Sequence, residues 1–179
     1  VVPAMLNLGL TGMPFVTHDI AGFSGGPSTK ELWLRWCELG AFTPIMRTHD
    51  GNMKETNWSW DKDMETIEHF KRFTKIHAAL GPDFMSLATE ASQTGAPILR
   101  HLMLEFPDDP EARNVSDQFL IGDKLLVAPV VEEGATSRSV YLPQGTWFDV
   151  WTGQSQVGGK RAMVDAPIGK PPVFSRGTD

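Results

Sequence analysis

Apolar and polar positions follow two different patterns along the chain, and the change falls near its middle. In the first half, segments with helical spacing alternate with short apolar, β-branched runs that are typical of buried strands. The pattern predicts strands over residues 14–20 and 41–50, and helices over residues 3–10, 29–40 and 83–94 and from Asp61 or Asp63 to residue 80. Such strand–loop–helix units indicate part of a parallel α/β sheet or barrel.

Helix starts and buried faces can also be predicted from the spacing. Ser28 and Glu31 form a capping-box pattern before helix 29–40. Leu32, Trp36 and Leu39 then recur at i, i+4 and i+7, which predicts that they share a buried face. In the helix ending near residue 80, the predicted buried stripe is Met64, Ile67, Phe70, Phe73, Ile76 and Leu80.

The second half contains short strand-like runs separated by Gly, Pro and Asp turns. This arrangement is typical of an antiparallel sheet or sandwich. The runs are PILRHLMLEF, DKLLVAPV, RSVYLP, TWFDVWTG, KRAMVDAP and PPVFSR. We therefore predict a domain of α/β units over residues 1–96 and a β-sandwich domain over residues 97–179, with the boundary within residues 96–110.

Composition and charge exclude several classes of protein. Hydrophobic residues make up 41% and charged residues 21% of the chain, which argues against wholesale disorder. A net charge of −6 without any basic tract argues against nucleic acid or an anionic membrane as a partner. Cys37 is alone, so neither an intrachain disulfide nor a cysteine-built zinc site can form. No apolar run approaches the roughly 20 residues of a membrane span.

Both ends of the sequence are unusual for a complete chain. Val1 is not a normal translation start, and residues 1–10 resemble the apolar half of a helix that is already under way. This segment lacks the charged start and the cleavage site of a signal peptide, so we expect a cytoplasmic protein. The C-terminal PPVFSRGTD stops just after a strand-like run. We expect a fragment of a longer chain; a natural chain with processed ends is the alternative.

Polar side chains follow the two predicted strands of the first half. One strand ends in Thr17-His18-Asp19 and the next in Arg47-Thr48-His49-Asp50. Because functional residues gather at the carboxyl ends of parallel strands, both groups are expected at the same rim. Carboxylate, imidazole and guanidinium groups beside aromatic faces suit a sugar pocket. The alternative is that these residues only cap strands and pair with each other.

Other chemistries have weaker support. His18 and His49 with Asp19 and Asp50 could supply metal ligands, but no HExxH motif or close ligand cluster occurs. The segment GFSGG does not match the GxSxG elbow of a nucleophilic serine. The acidic cluster of Glu105, Asp108 and Asp109 invites comparison with paired glycosidase carboxylates, but aspartates flanked by prolines favour a turn. Two Asn-x-Ser triplets begin at Asn57 and Asn114.

Six segments, taken together and in order, resemble glycoside hydrolase family 31. They are MPFVTHDIAGF, LRWCELGAFTPIMRTHDGN, EFPDDP, DKLLVAPVVEEG, VYLPQGTWFDVWTG and APIGKPPVF. The resemblance is strongest to the branch that contains bacterial sulfoquinovosidases and related α-glucosidases. It implies the last two strand–helix units of a (β/α)8 TIM barrel, followed by most of an antiparallel β-sandwich domain. It also implies a retaining α-glycosidase that requires no metal or organic cofactor.

The resemblance assigns four substrate-binding residues. Asp19 matches the aspartate of the family's D-I-G-G-F/Y segment, which lines the subsite of the cleaved sugar. His49 matches the pocket histidine that hydrogen-bonds sugar hydroxyls, and Arg47 of the same motif is expected to brace nearby carboxylates. Phe23 takes the aromatic position against the exocyclic carbon of the sugar.

Two departures from the family pattern affect the functional interpretation. No residue matches the catalytic nucleophile or the acid/base aspartate, so no catalytic residue is assigned, and both are expected before Val1. Sulfoquinovosidases carry Tyr where this chain has Phe23, and phenylalanine cannot offer a hydroxyl to a sulfonate. We therefore favour a neutral α-glucoside over an α-sulfoquinovoside. Ala21, which replaces a glycine, is a smaller change.

Three hypotheses remain open from the sequence. The chain is part of an α-glycosidase and inactive alone, or a self-contained enzyme that uses carboxylates such as Asp19 and Asp50, or a non-catalytic carbohydrate-binding or assembly module. An incomplete barrel exposes apolar strand edges. We therefore expect self-association, or association with the missing part of the barrel.

Overall fold

A computed structural model describes residues 1–177 of the chain, which form a helical half followed by an antiparallel half. The helices are α1 (Val2–Leu10), α2 (Lys30–Ala41), α3 (Met64–Ala79), α4 (Gly81–Thr94) and α5 (Leu102–Glu105), with a 3₁₀ turn at Ala112–Asn114. The first strands are β1 (Asp19–Ile20), β2 (Arg47–Thr48), β3 (Leu99–Arg100), β4 (Phe119–Ile121) and β5 (Leu125–Val127). The later strands are β6 (Ser137–Leu142), β7 (Thr146–Asp149), β8 (Ser155–Val157), β9 (Lys160–Asp165) and β10 (Val173–Arg176).

The two predicted strands of the first half are adjacent and parallel, but much shorter than predicted. Only β1 and β2, two residues each, are paired, with Asp19 opposite Arg47 and Ile20 opposite Thr48. Burial of segments 14–20 and 41–50 on both faces is also wrong. Phe15 is 55% exposed. A long buried strand needs neighbours along its length, and beyond the β1–β2 pair these segments have none within residues 1–177.

The sequence predicted Ser28 as the cap of α2, but the N-terminus of this helix is capped by Thr29. The Thr29 hydroxyl accepts a hydrogen bond from the Leu32 N–H at 3.2 Å. The Ser28 hydroxyl instead accepts one from the Trp58 N–H at 3.0 Å. The predicted capping box is therefore wrong, because a loop contact 30 residues away competes for the serine.

The buried face of α2 also differs from the predicted stripe. Leu39 is buried, but Leu32 is 43% exposed and Trp36 is half-buried. The hydrophobic residues buried on this helix besides Leu39 are Trp33, Leu34, Cys37 and Ala41. This rotation has a physical cause, because α2 packs against both α3 and β1 and must bury two sides.

Helices α3 and α4 follow the sequence prediction more closely. The Asp63 carboxylate caps α3 by accepting the Thr66 N–H at 2.8 Å. Phe73 is fully buried, whereas Met64, at the start of the predicted stripe, is 67% exposed. Helix α4 ends at Gly95, whose φ of 79° is the left-handed conformation of a C-terminal glycine cap.

The second half is an antiparallel sandwich. Six strands form one sheet in the order β3-β4-β5-β10-β7-β8, and β6 pairs with β9 in a second sheet. The run PILRHLMLEF is not one strand, because His101 caps the helical turn α5 directly after β3. Strands β4 and β8 were not predicted from the sequence. The domain division after residue 96 stays a prediction.

The central strands of the large sheet bury both of their faces. Because strand side chains alternate, successive residues of β4, β5 and β10 point to opposite sides. One face packs on the helices of the first half through Phe119, Ile121, Val127 and Val173. The other face packs on β6 and β9 through Leu120, Leu126 and Phe174. In the described part of the chain, no helix is long and apolar enough to cross a bilayer.

A buried polar junction joins α2 to the loops of the sandwich. The Arg35 guanidinium donates to the carbonyl oxygens of Ala135 and Ala166, each at 2.8 Å, and pairs with the Glu38 carboxylate at 3.2 Å. The Glu38 carboxylate accepts the N–H of Gly169 as well. Glu38 is 1% exposed, and burial raises the pKa of its carboxyl to about 7 despite the nearby arginine.

We expect Glu38 to make stability depend on pH in a defined direction. Because its folded-state pKa lies above the value of 4.5 for an unperturbed glutamate, its contribution to stability is lost as the pH rises from about 4.5 to about 7. Relative to the Glu38→Gln variant, the wild-type free energy of unfolding should fall by about 1–3 kcal/mol over that range in urea titrations.

The comparison with Glu38→Gln is needed because three histidines, His18, His69 and His101, have lowered pKa values and oppose the trend. Burial lowers the pKa of His18 and of His69 to about 4, so both favour unfolding as the pH falls below 6.5. Glu68→Gln, which removes an exposed carboxylate from α3, is the control and should shift stability by less than about 1 kcal/mol. A flat difference between wild type and Glu38→Gln would contradict the prediction.

Candidate functional site

The short parallel pair β1–β2 brings two of the predicted site residues into direct contact. Asp19 and Arg47 lie opposite each other in the register, and Arg47 Nε lies 3.0 Å from Asp19 Oδ1. The Asp19 side chain is 16% exposed and that of Arg47 is 50% exposed. The arginine therefore fixes one carboxylate oxygen of Asp19, while Oδ2 makes no ion pair within residues 1–177.

Phe23 and His49 lie in the loops that follow β1 and β2, and their rings contact each other. We call the group formed by Asp19, Phe23, Arg47 and His49 the rim. Their ring centroids are 5.1 Å apart and their planes are inclined by 52°. The Gly51 N–H donates to His49 Nδ1 at 2.9 Å, so in the neutral ring the proton is carried by Nε2. His49 consequently offers one N–H donor beside an aromatic face, and both residues are exposed.

The loops after β1 and β2 touch each other through their backbones. The Asn52 N–H donates to the Phe23 carbonyl at 2.9 Å. A Cβ added at Gly51, whose φ is +67°, would lie 2.5 Å from the same oxygen, so only glycine fits this contact. The position of the Phe23 ring relative to His49 therefore depends on residue 51.

Asn57 links the same two loops a second time. Its side-chain amide donates to the Asp50 carbonyl at 2.9 Å, and its side-chain oxygen accepts the Ser28 N–H at 3.0 Å. Sequence reasoning singled out Asn57 only as the start of an Asn-x-Ser triplet and missed this role. A polar residue in a loop beside candidate site residues was the available signal. The side chain of the second triplet asparagine, Asn114, donates to the Pro110 carbonyl.

A left-handed turn separates Asp19 from Phe23. Ala21 has a φ of +66° and Gly22 a φ of +86°, and the Gly22 N–H donates to the Asp19 carbonyl at 2.9 Å. A left-handed alanine costs roughly 1–2 kcal/mol relative to the ordinary helical conformation, and glycine avoids most of this cost. The Ala21 replacement noted in the sequence therefore introduces strain beside Asp19.

His18, the neighbour of Asp19, is unlike His49 because it points into the protein. The Trp36 indole N–H donates to His18 Nδ1 at 2.7 Å. Burial lowers the pKa of His18 to about 4, so the ring is neutral at pH 7. Its Nε2 is buried and has no hydrogen-bond partner among residues 1–177. No pattern in the sequence predicted the contact between His18 and Trp36.

Three other residues considered as candidates in the sequence are buried or already paired with neighbouring groups of the chain. Cys37 is fully buried, and burial raises the pKa of its thiol. Asp109 accepts the N–H groups of Glu111 and Ala112 and the Tyr141 hydroxyl, the last at 2.6 Å, which agrees with the predicted turn. Glu105 pairs with Arg100 at 2.7 Å. Within residues 1–177, no group of three or more His, Cys, Asp or Glu side chains is arranged to hold a metal ion.

The chemical capacity of the rim is hydrogen bonding and stacking. Asp19 offers an oriented carboxylate acceptor, His49 offers an N–H donor, and Phe23 offers an apolar ring face. Sugar rings combine hydroxyl groups with C–H faces, so this set suits a carbohydrate.

Comparison with known proteins gives the same picture over both halves of the chain. Residues 1–87 match the family profile described as the glycosyl hydrolases family 31 TIM-barrel domain. Residues 95–179 match the profile described as the glycosyl hydrolase family 31 C-terminal domain.

Individual relatives match along nearly all of the chain. It is 44% identical to a sulfoquinovosidase of Escherichia coli (98% of this chain, 26% of the relative) and 36% identical to alpha-glucosidase 2 of Bacillus thermoamyloliquefaciens (97% and 22%). A solved family 31 sulfoquinovosidase from E. rectale, in complex with an aza-sugar inhibitor, superposes with a TM-score of 0.94 at 35% identity. That superposition covers 98% of this chain and 26% of the solved one. The chain thus spans about a quarter of the length of these relatives.

The contact between the two rim loops leads to a prediction about Gly51. Gly51→Ala should lower the free energy of unfolding by about 2–4 kcal/mol, because a strained φ is combined with a clash against the Phe23 carbonyl. Gly12→Ala is the matched control, since Gly12 has a φ of +89° but no atom within 4 Å of an added Cβ. Equal losses for both variants in urea titrations would show that the close approach is unimportant.

Proposed function

The chain belongs to glycosyl hydrolase family 31, and from this premise we propose that it is part of a retaining α-glycoside hydrolase that removes terminal α-linked sugars. In this proposal the present residues supply one side of the sugar pocket. The observation that supports it most directly is the Asp19–Arg47 pair across β1 and β2, beside the Phe23–His49 wall.

Each rim residue has a role that follows from its surroundings. Asp19 accepts hydrogen bonds from ring hydroxyls, and Arg47 keeps the carboxylate turned towards the pocket. His49 donates through Nε2 to a hydroxyl oxygen, because Nδ1 is occupied by the Gly51 N–H. Phe23 stacks against the apolar exocyclic carbon.

The reaction needs two further carboxylates placed about 5–5.5 Å apart, as in retaining glycosidases generally. One attacks the anomeric carbon to form a covalent glycosyl–enzyme intermediate. The other first protonates the leaving oxygen and then activates the water that hydrolyses the intermediate. We propose that both are supplied by parts of the enzyme outside this chain, which spans only about a quarter of its relatives.

Asp19 and His49 contribute by binding the transition state more tightly than the substrate. As the sugar ring flattens towards an oxocarbenium ion, its hydroxyls become stronger hydrogen-bond donors and their geometry changes. Only contacts that strengthen in the transition state increase the rate of the chemical step.

The substrate that we favour is a neutral α-glucoside. The Phe23 ring has no hydroxyl with which to bind a sulfonate, and a charged group left unpaired in a closed site costs at least about 1–3 kcal/mol. The second candidate is an α-sulfoquinovoside. It is favoured by the 44% identity to a sulfoquinovosidase and by the similarity to the solved E. rectale enzyme.

The pocket assignment can be tested in the full-length enzyme with Asp19→Asn and His49→Ala. Each should lower kcat/KM for a chromogenic α-glucoside by tenfold or more. Asp19→Asn removes a charge-assisted hydrogen bond worth about 1.5–3 kcal/mol, and His49→Ala leaves a sugar hydroxyl without its donor at a cost of about 1–3 kcal/mol. Asp123→Asn, an exposed aspartate in the β4–β5 turn, is the control and should leave hydrolysis unchanged. If both pocket variants stay within twofold of wild type, the assignment is wrong.

The substrate preference can be tested with Phe23→Tyr. Wild type should prefer the α-glucoside over the α-sulfoquinovoside, and the tyrosine hydroxyl should shift the kcat/KM ratio towards the sulfoquinovoside about tenfold. Phe148→Tyr, a partly exposed phenylalanine of β7, should leave the ratio unchanged. A wild-type preference for the sulfoquinovoside would instead support the second candidate.

A further inference from the structure

We propose that Trp36 is a positioning residue for the sugar pocket, because it fixes the orientation of His18 and supports the turn that carries Asp19 and Phe23. This inference rests on the proposed function. Trp36 itself lies on α2, outside the rim, and touches none of the four assigned site residues through a hydrogen bond in the described chain.

The first step of the argument is the proton on His18. The indole N–H of Trp36 can only donate, so His18 Nδ1 must accept at 2.7 Å and Nε2 must carry the ring proton. Burial disfavours the charged ring. The imidazole is thereby held in one tautomer and one orientation, with its peptide unit adjoining that of Asp19.

The second step concerns the turn after Asp19. A Cβ built on Gly22 would lie 3.6 Å from the far edge of the Trp36 ring, so the indole packs directly against the left-handed turn. The Gly22 N–H closes this turn on the Asp19 carbonyl. The same indole therefore contacts the chain on both sides of Asp19.

The third step is that α2 also packs directly against β1, through the side chain of Ile20. A Cβ added to Gly40 would lie 3.3 Å from the end of the Ile20 side chain, and Ile20 is 1% exposed. The contacts of Ile20 and Trp36 together set the distance between β1 and α2. A shift of about 1 Å in a binding carboxylate can cost about 100-fold in rate, so this support matters for Asp19.

Trp36→Phe in the full-length enzyme tests the inference, because it retains an aromatic ring but removes the indole donor. We expect kcat for a chromogenic α-glucoside to fall about tenfold, with KM within about threefold. In ¹⁵N NMR spectra of the imidazole groups, His18 should change from a single Nε2–H form to a mixture of tautomers.

Trp33→Phe is the matched control on the same helix. Trp33 is 3% exposed and packs edge-on against Phe70, so its replacement probes loss of ring volume in the same hydrophobic cluster. It should alter neither kcat nor the His18 tautomer. Equal effects of the two variants on kcat at equal loss of stability would overturn the inference and leave Trp36 a purely structural residue.

A second pair of variants keeps the test decisive if Trp36→Phe does not fold. His18→Asn keeps an acceptor near the Nδ1 position, whereas His18→Ala removes it. The asparagine variant should retain at least fivefold more activity than the alanine variant; equal activity overturns the inference. If the wild-type enzyme hydrolyses no α-glycoside, the proposed function is wrong. If His18 in the wild-type enzyme is not a single Nε2–H tautomer, the positioning role of Trp36 is wrong, whatever the activity.

Discussion

The large antiparallel sheet has to be covered on both faces, and the rest of the structure depends on this requirement. Phe119 and Ile121 of β4 face the helices, while Leu120 between them faces β6 and β9. Burial of each side chain of this size contributes about 1.5–3 kcal/mol to the free energy of unfolding, so exposing either face of the sheet would destabilise the fold strongly. The two halves of the sequence therefore share a core, although their local patterns are different.

Helix α2 transmits this support to the candidate site. On one side of α2, Arg35 and Glu38 form hydrogen bonds with the backbone of sandwich loops. On another side, Gly40 and Trp36 contact β1 and the turn that follows it. The rim residues are thus supported by a helix whose own position is set by the sandwich, so the candidate site does not depend on its two-residue strands alone.

The sequence predicted the helices better than the strands, and the reason is physical. Helix hydrogen bonds are local, so signals such as Asp63 and Gly95 act within one turn. Strand length depends on partners that are distant in sequence, so an apolar run such as 14–20 predicts a capacity to pair and not the pairing itself. Ser28 failed as a predicted cap for the same reason, since Trp58 competes for its hydroxyl.

The site was predictable in its composition and not in its geometry. The ends of two successive strands suggested that Asp19 and Arg47 would lie at the same rim, because parallel neighbours place their carboxyl ends together; their direct contact is a finding of the structure. The spacing could not show that two histidines beside them would be held in the same tautomer by different donors. The Gly51 N–H fixes exposed His49, and the Trp36 indole fixes buried His18. In both rings Nδ1 accepts, so the neutral ring carries its proton on Nε2. The two rings differ in access, because His49 is exposed whereas Nε2 of His18 is buried without a hydrogen-bond partner among residues 1–177. In the proposed sugar pocket, His49 is therefore the histidine whose N–H is available to a hydroxyl oxygen, while His18 remains an uncharged internal contact of Trp36.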